Sequence, residues 1–71
     1  MVYWATPEFK ERRIKECVSE IKRMEKDEIG FSTEEMWGSV MDLLLGFNIP
    51  HEVSRRYAIE AFRKCGYQVE G

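Results

Sequence analysis

The feature that most constrains this chain is the helix start at Phe31-Ser32-Thr33-Glu34-Glu35-Met36, together with the apolar segment it opens. Ser32 and Glu35 have the spacing of a capping box, in which each side chain satisfies the other residue's backbone amide. Phe31 and Met36 stand where a hydrophobic staple needs them. The helix that begins here runs through Trp37, Val40, Met41, Leu43, Leu44 and Leu45, interrupted only by Gly38, Ser39 and Asp42. A helix that is apolar over most of its circumference has to be covered on most sides. In a chain of 71 residues there is room for one core. The expectation is therefore a single domain over residues 1–71, with this helix at its centre and a second copy of the chain helping to cover it through Trp37, Met41 and Leu45.

Two further helices flank it. Thr6-Pro7-Glu8 is a helix start: a capping hydroxyl, a proline at the first turn, and an acid at the positive end of the helix dipole. Ile14, Cys17, Val18, Ile21 and Met24 then recur at spacings of three and four, the stripe of one buried helix face. Phe9 and Ile29 extend the stripe, and Gly30 ends it. Opposite lie Lys, Arg and Glu with helical ion pairs such as Glu11 with Lys15 and Glu16 with Arg12 and Arg13. Gly46 is a natural stop for the second helix, with Phe47 supplying the apolar contact that accompanies such stops. After Asn48-Ile49-Pro50, a third helix buries Val53, Tyr57, Ala58, Ala61, Phe62 and Cys65 and exposes Arg55, Arg56, Ile59, Glu60 and Arg63. The fold class is thus all-α, with helices at about 7–29, 33–45 and 50–65. Val2-Tyr3-Trp4 and Tyr67-Gln68-Val69 are candidates for a minimal two-stranded terminal ribbon.

Several kinds of chemistry lack their residues here. Cys17 and Cys65 stand alone, without a CxxC, and with a single histidine there is no zinc ligand set; no metal and no cofactor are expected. His51 reads as a solvated first-turn residue. It stands 14 positions from Cys65 on the same helix, about 21 Å at the rise of an α-helix, too far for a nucleophile–base pair. The glycines are dispersed and form no phosphate loop. An enzyme is not expected. The longest apolar run, Leu43-Leu44-Leu45, is far short of a bilayer span, and no secretory leader is evident at the N-terminus. A reducing cytoplasm with both thiols free and buried is the expectation.

The formal net charge is −2, but it is unevenly spread. Residues 27–42 carry −5, whereas residues 8–26 and 51–65 carry +2 each. A local basic face is compatible with that distribution.

The stretch from Ile49 to Val69, with Ser54, Arg55 and Arg56 near a helix start after a short turn and Gly66-Tyr67 leading out, resembles the second half of a helix-turn-helix or winged-helix DNA-binding domain. The resemblance covers residues 49–69. It implies that Ser54, Arg55, Arg56, Ile59 and Arg63 face double-stranded DNA while Tyr57, Ala61 and Phe62 anchor the helix. Arginine can bond guanine through two donors, and serine can contact phosphate or base. The competing expectation is a helical protein–protein interaction module, an adaptor or inhibitor of a larger protein. Its basis is the surplus of Tyr3, Trp4, Trp37, Met41, Leu45 and Ile59, since aromatic and methionine side chains are enriched at interfaces. Tyr3 and Trp4 lie either in the core or against a partner.

Overall fold

The computed structural model describes residues 2–69 and is a three-helix domain. A 3-10 turn, η1 (Tyr3–Ala5), leads into α1 (Pro7–Glu25), followed by α2 (Thr33–Leu45) and α3 (His51–Lys64). Among the described residues there is no strand. Each helix packs on the other two, and η1 packs on α1.

The helix starts form as their residues dictate. The Thr6 hydroxyl accepts the Phe9 amide at the head of α1. At α2 the reciprocal capping box is complete: Ser32 Oγ accepts the Glu35 amide at 3.2 Å and Glu35 Oε1 accepts the Ser32 amide at 3.0 Å. α1 ends at Glu25, short of the expected residue 29. The reason is local competition for backbone donors. Asp27 Oδ1 takes the Ile29 amide at 2.9 Å, a turn that diverts the chain from the helix. Gly30 completes the reversal with φ +74°, and Ile29 is left 83% exposed rather than extending the apolar stripe.

α2 ends at Leu45 with Gly46 as its cap, as expected, but the left-handed turn comes later. Gly46 keeps a right-handed helical φ of −62°, and the left-handed position falls to Asn48, at φ 60°. Asparagine tolerates this region better than most residues.

α3 closes in a Schellman motif. The Tyr67 amide donates to the Phe62 carbonyl at 3.0 Å and the Gly66 amide to Arg63 at 3.0 Å, with Gly66 at φ 94°. The apolar contact of that motif is present too, as an edge-to-face pair of Phe62 and Tyr67 at 5.3 Å. This accounts for the missing terminal ribbon. Tyr67 is spent on ending α3, and Tyr3 and Trp4 are wound into η1.

The core joins Ile14, Cys17, Ile21 and Met24 of α1, Met36, Val40, Met41 and Leu44 of α2, Ile49, and Tyr57, Ala58, Ala61 and Phe62 of α3. Burial of this apolar surface is the main stabilising contribution. Of the three α2 residues expected at a dimer interface, Met41 is buried within the one chain and Trp37 is half-buried, tilted against Phe62 at 5.7 Å. Leu45 alone is exposed, at 38%. The rest of the chain thus buries Met36, Val40, Met41 and Leu44 of α2, and the expected homodimer has no support from packing.

Candidate nucleic-acid interface

The outer face of α3 carries the residues that the sequence singles out, and the structure separates them. Arg55 and Arg56 are exposed, and among the described residues neither has an ion-pair partner. Ser54 is fully buried, and its hydroxyl donates to the Ile49 carbonyl at 3.2 Å. It ties the first turn of α3 to the preceding loop, and the expectation that it faces DNA is wrong. Ile59 is also buried, at 6% exposure, rather than lying on the wet face. Arg63 is exposed but engaged: its Nε and Nη2 donate to the Val69 carbonyl at 3.2 and 2.8 Å, holding the C-terminal segment against α3.

The N-terminal turn, packed on α1, reaches this side of α3 through one hydrogen bond. The Tyr57 hydroxyl donates to the Trp4 carbonyl, and the Tyr3 hydroxyl donates to the Phe47 carbonyl, so η1 is tied to α3 and to the α2–α3 loop. Loss of water raises the Tyr57 phenol above its ordinary value, which keeps it a donor. The result is a cleft of about 560 Å³ between η1 and α3. Trp4, Val53 and Ile59 contribute its apolar lining, and Lys10, Arg55, Arg56 and Arg63 its positive charge, against Glu52 and Glu60.

A second cleft, of about 220 Å³, adjoins it between α1 and α3. Lys10 and Glu60 belong to both clefts and pair with each other at 3.2 Å. The second cleft adds Lys15 and Lys64, together with Glu11, which pairs with Lys15 at 3.7 Å. Together the two clefts bring six cations and three carboxylates to one side, a net +3. Since the whole chain is −2, the remainder carries −5. Nothing in the sequence pattern marks Lys10 and Lys15 as part of a site. They sit on α1, more than 30 positions before α3, and only the α1–α3 packing places Lys10 beside Arg55 and Arg56 and Lys15 beside Lys64.

Arg13 is the other residue whose place differs from expectation. Its position in the sequence puts it on the solvated face of α1, yet it is 7% exposed. Its guanidinium lies over the rings of Phe9 and Phe47, at 5.0 and 4.2 Å from their centroids. Nη2 pairs with Glu16 at 2.9 Å, whereas Nε has no partner. Tyr3 meets Phe9 edge-on at 5.3 Å on the same side. The arrangement fits cation–π attraction, and it joins η1, α1 and the α2–α3 loop at one end of the molecule.

The thiols offer no reactive site. Cys17 is buried and its pKa is pushed up to about 12 by loss of water and by the neighbouring Glu16 carboxylate, so the thiolate is absent at neutral pH. Cys65 is half-buried and raised for the same first reason, with Glu25 adding to it. Among the described residues there is no cluster of His, Cys, Asp and Glu that could hold a metal ion, and no helix long and apolar enough to cross a membrane.

In comparisons with known proteins, the chain matches no protein-family model, no curated protein and no solved structure.

Proposed function

We propose that this protein binds double-stranded DNA through the basic side formed by α1 and α3, with Arg55 and Arg56 as the principal phosphate contacts. The observation that carries the reading is the concentration of +3 on one side of a chain whose total is −2, with the Arg55 and Arg56 guanidiniums unpaired among the described residues. Such a field draws a polyanion to one face of an otherwise acidic molecule. With Ser54 and Ile59 buried, the contacts on offer are to the phosphate backbone, which position a protein on DNA without reading its sequence. The proposed role is that of a small regulatory DNA-binding protein with no catalytic step, and a cytoplasmic setting, where both free thiols stay reduced, belongs to the same proposal. Retention of a fluorescent duplex by the wild-type chain, falling steeply with salt and lost in Arg55→Ala/Arg56→Ala, is the expected result. Equal retention by both proteins would remove the reading.

A protein partner is the second reading, and the exposure of Tyr3, Leu45 and Phe47 is what favours it. Large apolar side chains left in water are candidates for burial in an interface. If the partner is a second copy of the chain, sedimentation shows a concentration-dependent dimer that Leu45→Glu disperses. A single monomeric species at all concentrations counts against that form of the reading.

A further inference from the structure

We infer that the cleft between η1 and α3 takes one unpaired nucleobase, so that the protein prefers single-stranded DNA to duplex; the inference rests on the DNA-binding reading above and names the ligand of the same face. Three features of the cleft support this. The first is shape. A helix that reads duplex DNA enters the major groove with its outer face bare. Here one hydrogen bond, from the Tyr57 hydroxyl to the Trp4 carbonyl, brings η1 to the edge of that face, and Ile59, in its middle, is buried. Trp4 and Ala5 of η1 thus form one wall of a concave site beside α3. The second is size. At about 560 Å³ the cleft falls within the range of about 300–1,000 Å³ typical of small-ligand sites. The third is chemistry. Trp4, Val53 and Ile59 give apolar lining, while Arg55 and Arg56 stand around it, with Lys10 paired to Glu60 and Glu52 also at the rim. An aromatic surface for a base beside cations for the flanking phosphates is the general design of single-strand binding sites. A duplex keeps its bases stacked and meets only the cations, whereas an unpaired base meets both.

Binding of a labelled deoxythymidine oligonucleotide and of a duplex of equal length, measured by fluorescence anisotropy at one salt concentration, tests this. Wild-type protein binds the single strand more tightly. Trp4→Leu, which keeps apolar bulk but removes the aromatic face, weakens single-strand binding about tenfold and leaves duplex binding unchanged. Trp4→Phe retains most of the preference. Arg55→Ala/Arg56→Ala weakens both ligands. A direct readout independent of Trp4 variants uses Trp37→Phe, in which Trp4 is the one remaining tryptophan. Its emission is quenched on saturation with the oligonucleotide. Equal single-strand affinity in wild type and Trp4→Leu, or unchanged Trp4 emission at saturation, overturns the inference while the phosphate reading stands. Absence of wild-type binding to either DNA defeats the underlying reading as well.

Discussion

Ser54 shows how one buried hydroxyl changes the meaning of a motif. Beside two arginines at a helix start it has the look of a DNA contact, yet it spends its hydrogen bond on the Ile49 carbonyl inside the protein. Ser54→Ala should therefore lower stability by about 1 kcal/mol in chemical denaturation and leave DNA affinity unchanged. A variant of full stability with weakened binding would return Ser54 to the interface. Arg13 is the complementary case, a charge held among rings with one donor unsatisfied. Removing its bulk in Arg13→Ala should cost about 2 kcal/mol or more through lost packing, whereas Arg13→Met, which fills the same space without a charge, should cost less. Denaturant midpoints of the two variants decide this, and an equal loss in both would show that charge rather than packing holds the site.

At the level of elements, the second helix depends on its cap. The backbone amide of Ser32 donates to Glu35 and holds that carboxyl below its ordinary value of 4.5. Because the folded pKa is the lower one, the contribution is present above the unfolded value and is lost as pH falls through the folded one. Glu35→Gln preserves the acceptor but does not titrate. Its melting temperature should therefore fall less than that of wild type between pH 5 and pH 3, and parallel curves would contradict the account. Ser32→Ala should destabilise the domain by about 1 kcal/mol. The helices themselves are legible in sequence because their signals are local: a capping box, a proline at a first turn, and apolar residues recurring with the helical period. The ends are less so. The α1 terminus turns on Asp27 capturing a nearby amide, and the path after α3, whose stop at Gly66 is legible, on Tyr67 folding back upon Phe62, both choices between competing contacts that composition does not rank. The site is legible only as Arg55, Arg56 and Arg63. The burial of Ser54 and Ile59, and the arrival of Trp4, Lys10 and Lys15 beside α3, arise from tertiary packing across long stretches of chain.

Considered as a whole molecule, the chain sets a basic side on α1 and α3 against an acidic remainder. The apolar second helix, which on sequence grounds calls for a second copy, buries Met36, Val40, Met41 and Leu44 within one chain and leaves Leu45 exposed. The molecule is thus a three-helix scaffold whose function is proposed to lie in one charged side. The salt dependence of duplex DNA affinity tests this claim most directly. Each arginine that neutralises a phosphate steepens the decline of log affinity with log salt by about one. For Arg55→Ala/Arg56→Ala the account predicts a slope shallower by about two than that of wild type, with the fold intact by circular dichroism. The same slope in both proteins, or no wild-type binding at low salt, would contradict it.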